Sequence, residues 1–411
     1  MWKEKNTITN EYFDERKKNS MAELLIMSSK NELAEEISNK VIGEYSKLKS
    51  VCKPATRPTG IKEWTILAGV VVINRSGGAN NVEVLSVATG VKALPDSELQ
   101  RSGGKLLHDC HAEILALRGA NTVLLKHIKD YDPANGSDFI ESNNEIPIRF
   151  NLKDDWELAL YISRLPCGDA SMDFLNDSCK NNEDFIKIQD NDAFQYVDPK
   201  VKTILRGRLN FHKKSVVRTK PGRYDSNITL SKSCSDKLSM KQISSILNSL
   251  NYELFEQPVY LKYIVIPDTE DKTKHILERS FHNRLPCDGH QVEFLNCHTP
   301  FYDDRTDEND IPSSMCSIKL FVNDSSTEEA IFNGMKNGFY TKSSKPLRKH
   351  CQSQVSRFAQ WELFRQIRPK HKSMSYLHFK SQQKERNRLI TTAKNALSPD
   401  GWISTRIDDV N

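Results

Sequence analysis

The 411-residue sequence sets 59 lysines and arginines against 54 aspartates and glutamates, with 37% apolar and 27% charged residues. That mixture suits a folded chain with a large core, in one large domain or two ordinary ones, and no apolar run reaches membrane-spanning length. Nine scattered cysteines and the absence of an apolar leader after Met1 argue against a disulfide framework. They lead us to expect metal-bound or buried thiols and a cytoplasmic or nuclear location.

In chain order, residues 1–28 are polar and aperiodic, an N-terminal extension expected to be disordered. Leu33, Ile37, Val41 and Tyr45 recur every four residues and predict an amphipathic helix over 31–48. After the proline-rich loop 53–60, the Val/Ile-rich run Trp64–Ile73 predicts a buried strand, turned at 76–81 into a second strand, Val82–Thr89. A helix is expected from His111 to about Ile128, a surface insertion over 129–155, and a strand over Trp156–Ser163. A second polar insertion covers 175–199, followed by a basic stretch from Arg206 to Arg223. Cys234 opens a helix with Leu238, Ile243 and Leu247 inward. Val259–Ile266 reads as a strand, 270–285 as a helix, and Ser317–Val322 as a strand after the acidic loop 302–310. Val355, Phe358, Trp361 and Phe364 predict one buried stripe in a helical C-terminal part. Strands alternating with helices indicate an α/β layered fold.

The net charge of +5 is unevenly spread. Between Lys336 and Lys394, fifteen Lys or Arg face only Glu362 and Glu385, a surplus of +13 that leaves −8 for the rest of the chain. Such a segment predicts a polyanionic partner, either nucleic acid or a small polyphosphate. A solvated helix face is the plainer alternative.

Two short motifs carry chemistry. His111-Ala-Glu113 opens a helix, and Pro166-Cys-Gly-Asp169 follows a strand. A histidine that binds metal beside a glutamate that moves protons, completed by Pro-Cys-x-x-Cys, is the zinc-deaminase signature. Here Ala170 stands where the second cysteine belongs, so the third ligand must come from farther along. Cys179, Cys234, Cys287 and Cys297 are the candidates. Cys234 is favoured because a helix start stabilises thiolate, and Cys287 is its rival because Arg284-Leu-Pro-Cys287 echoes Arg164-Leu-Pro-Cys167.

His111-Ala-Glu113, Pro166-Cys-Gly-Asp169 and Ser233-Cys-Ser-Asp-Lys237 together resemble the RNA-editing adenosine deaminases, over roughly Glu32 to Trp402. The resemblance implies a cytidine-deaminase-like fold, a mixed central sheet flanked by helices with a helical basic C-terminal part. It implies one deaminase domain over 29–411 and zinc on His111, Cys167 and Cys234, with Glu113 as the proton carrier. It also implies 1D-myo-inositol hexakisphosphate enclosed by positions matching Lys92, Arg118, Lys237, Tyr376, Lys380 and Trp402. Leu117, Met240 and Lys241 depart from the family pattern there. Only about 60 residues precede the first core strand, so a double-stranded-RNA-binding domain in addition to the helix over 31–48 is not expected. The likeness is therefore greater to the tRNA branch, which acts on adenosine 37, 3′ of the anticodon in alanine tRNA. Arg218, Lys220 and Arg223 are candidate tRNA contacts at the rim. The rival readings are a cytidine deaminase, a deaminase of another RNA, a non-catalytic RNA-binding subunit and a structural zinc protein.

Overall fold

The computed structural model describes residues 27–410, apart from 77–80, 144, 176–194, 223–225, 228, 268–270, 287–288, 308 and 406–407. Among these residues the strands of the largest sheet are β1 (Leu67–Asn74), β2 (Asn81–Thr89), β3 (Trp156–Ile162), β4 (Tyr263–Pro267), β5 (Glu293–Cys297), β6 (Met315–Val322), β7 (Ser325–Phe332) and β8 (Met335–Lys336). They form one mixed sheet in the order β5-β4-β3-β1-β2-β6-β7-β8. β3, β4 and β5 run parallel, whereas β1 pairs antiparallel with both β2 and β3.

Alternation along β1 explains the layers, because successive side chains of a strand point to opposite faces. Leu67, Val71 and Ile73 face helix α1 (27–46), whose Leu33, Ile37, Val41 and Tyr45 are buried against them. Ala68, Val70 and Val72 face the larger core, built on helix α2 (Ala112–Lys129). Beyond α2 lie α3 (Cys234–Ser244), α4 (Ser249–Leu254) and α5 (Asp271–Phe281). The basic C-terminal part folds as α6 (Arg357–Ile367), α7 (Tyr376–Ser381) and α8 (Lys384–Leu397). Trp361 and Phe364 stack at 5.6 Å and enter the α2-side core with Val355. The mixed sheet with helices on both faces is the expected architecture. No helix of the described residues is long and apolar enough to cross a membrane.

Several boundaries differ from expectation. The first strand starts at Leu67, because Glu63–Trp64 pairs separately with Ile311–Pro312. The helix opened by Cys234 stops at Ser244, where Ser245 takes φ +70°, so Leu247 is buried from the following loop. The 129–155 segment is more than surface. Its short strands Ile140–Ser142 and Phe150–Leu152 pair, and Phe139, Ile140 and Phe150 are buried in the core. Residues 1–26 of the expected N-terminal extension and most of the 175–199 insertion fall outside the described residues, while residues 27 and 28 already belong to α1.

Candidate metal centre and cation cluster

The site assembles where three chain segments meet at one end of the sheet. The short strand Asp109–His111 pairs with Val91–Ala93, and Ala112 N–H donates to the Gly90 carbonyl at 2.9 Å. His111 is thereby set at the N-cap of α2, with no side-chain capping bond to hold its imidazole. Cys167 lies just past the end of β3. The next residue, Gly168, has φ +102°, and a Cβ there would collide with the Ser233 hydroxyl, so only glycine permits this approach.

Each residue of Ser233-Cys-Ser-Asp has a distinct task. Ser233 caps α3 by accepting from Asp236 N–H at 3.2 Å. Ser235 ties the two ligand loops together, its N–H donating to the Cys167 carbonyl at 3.0 Å and its hydroxyl accepting from Ala170 N–H at 3.2 Å. Asp236 is held by Arg284 at 2.6 Å. The result is a cluster in which the ligand atoms of His111, Cys167 and Cys234 all lie within 4.8 Å of one another. Four-coordinate zinc, with bonds of about 2.0–2.3 Å, fits such a His-Cys-Cys set and leaves one position open.

Cys297 lies in the α1-side core, across the sheet, and takes no part. Cys179 and Cys287 fall outside the described residues. The thiol of Cys167 is held well below its ordinary range by its hydrogen bond with Cys234 and by His111 and Lys220, against the opposing effect of burial. The Glu113 side chain is fully buried, and neither carboxylate oxygen has a hydrogen-bond partner among the described residues. Burial raises its pKa above the ordinary carboxylate range, only partly offset by His111. A carboxyl group whose affinity for protons is raised in this way is suited both to take and to give one.

Behind the cluster runs a buried ionic chain. Lys220 Nζ donates to both oxygens of Asp109 at 2.8 and 2.7 Å and to Cys234 Sγ at 3.1 Å. Lys237 Nζ donates to Asp109 and, at 2.7 Å, to Ser231 Oγ. Lys237 in turn borders a set of cations with few acids among them. Lys241 is driven down to about 7 by burial and by Arg386, Lys237 and Arg118. Burial alone would raise Tyr376, but Lys380, Arg357 and Arg386 bring it to about 8. Arg386 is 8% exposed, and its Nε and Nη1 have no partner among the described residues. Thus Arg118, Lys237, Tyr376 and Lys380 belong to one cluster. Trp402 sits beside it, with the Lys232 and Lys394 ammonium groups 5.2 and 5.6 Å from its ring. Lys92 lies on the strand opposite Cys110, half-buried.

The family model for the adenosine-deaminase (editase) domain matches residues 86–398. The chain is 73% identical to tRNA-specific adenosine deaminase 1 of Saccharomyces cerevisiae, over 94% of this chain and 96% of that protein. The chain belongs to the adenosine-deaminase (editase) family. It is also 34% identical to tRNA-specific adenosine deaminase 1 of Schizosaccharomyces pombe, over 74% of this chain and 78% of that protein. Likeness to the double-stranded RNA-specific editase Adar of Drosophila melanogaster is lower, at 28% over 49% of this chain. The editase family thus supplies the context for a centre that combines metal-ligand types with a buried acid.

The rim assignment needs correction. Arg218 and Lys220 are 1% and 3% exposed and cannot meet a large polyanion from outside. Arg218 spends its guanidinium on the carbonyls of Gly207, Leu209, Asn210 and Lys213, and burial pushes it down to about 10. Lys220 belongs to the Asp109 chain. Arg223 falls outside the described residues. The sequence reading also missed Asp109, Arg357 and Arg386. Arg386 had a visible signal: it lies on the buried stripe of α8, in helical register with Ala393 and Leu397, where an apolar residue would be ordinary.

Proposed function

We propose that this chain hydrolytically deaminates adenosine to inosine in tRNA, at adenosine 37 of alanine tRNA, using zinc on His111, Cys167 and Cys234 within one domain over 29–411. The observation that carries the reading is the fully buried Glu113 carboxyl, without a hydrogen-bond partner among the described residues, beside a His-Cys-Cys set, in a family member 73% identical to a yeast protein named for tRNA adenosine deamination.

When bound, zinc supplies a water acidified enough to act as a nucleophile near neutral pH. Glu113 would take one proton from the water that adds to C6 and give it to ring nitrogen N1, then carry the second, from the new C6 hydroxyl, to the amine as the C6–N6 bond breaks, leaving inosine and ammonia. His111 and Cys167 are fixed by the α2 start and the Gly168 turn, and Cys234 by the Ser233 cap. The base must leave its stack to reach this buried carboxyl.

The cation cluster is our proposed site for inositol hexakisphosphate, held by Lys92, Arg118, Lys237, Tyr376, Lys380 and Trp402, with Arg357, Lys241 and Arg386 added. The observation behind this reading is the set of buried like charges that depress Lys241, together with Nε and Nη1 of Arg386, which have no hydrogen-bond partner among the described residues. A buried cation without a counter-charge is strongly disfavoured, and a polyanion would remove that cost.

Incubating purified protein with total tRNA and mapping inosine tests the main reading. We expect inosine 3′ of the anticodon in alanine tRNA. Inosine only in another RNA would shift the substrate assignment, and none in any RNA would favour a non-catalytic subunit.

A further inference from the structure

We infer that the exposed face of residues 199–215, carrying Lys200, Lys202, Arg208 and Lys213, is the surface on which the tRNA phosphate backbone is held beside the metal centre. This rests on the proposed tRNA substrate and replaces the buried Arg218 and Lys220 as contacts.

The first observation is charge. From Pro199 to Gly222 the chain has eight lysines and arginines and no acid. Of these, Lys200, Lys202, Arg208 and Lys213 are exposed, as is His212, whereas Lys214 is half-buried and paired with Asp173 at 3.2 Å. A polyphosphate strand is attracted to a row of this kind whatever its bases, because each neutralised phosphate releases counterions.

The second observation is rigidity. A basic loop that must be ordered on binding loses affinity, and this one is ordered already. Leu209 and Phe211 bury themselves against Met172 and Leu175, in the turn that follows Cys167. Ser215 N–H donates to Asp169 at 2.7 Å, only two residues from Cys167. From inside, the Arg218 guanidinium gathers four carbonyls of 207–213. Gly207, at φ +49°, lets the turn pass where a Cβ would stand 2.6 Å from the Pro221 carbonyl.

The third observation is direction. Arg208 lies along Gly222, two residues beyond Lys220, whose ammonium touches Cys234 Sγ at 3.1 Å. Lys202 and Lys213 flank the Tyr196 ring, at 4.1 and 5.5 Å, and Lys213 also donates to the Tyr196 hydroxyl at 2.9 Å. Their amines are thereby held as a pair on the surface. The cations thus sit on a ledge braced to the segments that deliver Cys167 and Cys234. A target base turned into the centre would leave its flanking phosphates within reach of that ledge.

The test is equilibrium binding of alanine tRNA across a salt series, by fluorescence anisotropy, in a Glu113→Ala background to prevent turnover. We compare that protein with a Lys200→Ala/Lys202→Ala/Lys213→Ala variant, with Arg208→Ala alone, and with a control, Lys40→Ala/Lys49→Ala, altered at and just beyond α1 on the opposite face of the sheet. Each phosphate that a variant no longer neutralises should lower the salt slope by roughly 0.7–0.9. The triple variant should therefore lose about 2 from the slope and at least about tenfold in affinity near 0.1 M salt. The Arg208 variant should show a loss in the same direction, and the control none. Unchanged affinity and slope in both ledge variants would overturn the surface while leaving the tRNA reading intact. An equal loss in the control would also overturn it, by showing diffuse attraction. If the parent protein fails to bind tRNA, the tRNA reading and the ledge fall together.

Discussion

Asp109→Asn should destabilise this protein severely although it changes a single atom type. Asp109 is 7% exposed and accepts from two ammonium groups, Lys220 at 2.7 Å and Lys237, with the Ser231 hydroxyl at 3.3 Å. The neutral amide keeps the volume but removes the charge that both lysines face. Breaking a buried pair from one side costs about 3–5 kcal/mol, since the remaining charge is stranded. That is roughly a 10²–10⁴-fold loss in the folded-to-unfolded ratio, a large part of the stability of a typical domain. Urea unfolding followed by tryptophan fluorescence should give a much lower midpoint with an unchanged slope. The pH dependence has a definite sign. The two lysines hold the Asp109 carboxyl well below 3.8 against the effect of burial. Its contribution is therefore present above the ordinary aspartate range and lost as pH falls through the lower folded value, so the variant should also lack that acid-side transition. A stability loss under about 1 kcal/mol would refute the reasoning and mean that the buried lysines find other partners.

Other outcomes follow from the same geometry. Glu113→Ala should keep its zinc content and fold but lose deamination by at least about 10²–10⁴-fold, measured by inosine formation under single-turnover conditions. Cys234→Ala should purify without stoichiometric zinc by elemental analysis, whereas Cys297→Ala should retain it because Cys297 lies in the other core. Freed of any polyanion, the protein should gain stability as pH rises from about 7 toward the ordinary lysine range. Lys241 is depressed to about 7 by burial and its cationic neighbours, so in that window the unfolded state binds the extra proton. Thermal unfolding with added inositol hexakisphosphate should abolish that dependence.

The sequence by itself determined the layers and the first two metal-ligand types. Period-four spacing in α1 and the apolar run of β1 encode burial locally, and His111-Ala-Glu113 and Pro166-Cys167 are contiguous words whose chemistry needs no fold to be recognised. Local signals also marked Cys234, as a thiol at a helix start. They could not exclude Cys297, since which face of the sheet a cysteine joins is decided by the register of its strand in the folded sheet. Only the tertiary structure decided which cations face water. Arg218, Lys220 and Lys213 are equally basic as text, yet Arg218 is committed to four carbonyls, Lys220 to Asp109 and Cys234, and Lys213 to the surface. The reason is physical. A charged side chain can be buried only where specific long-range partners satisfy it, and those partners come together only when the chain folds.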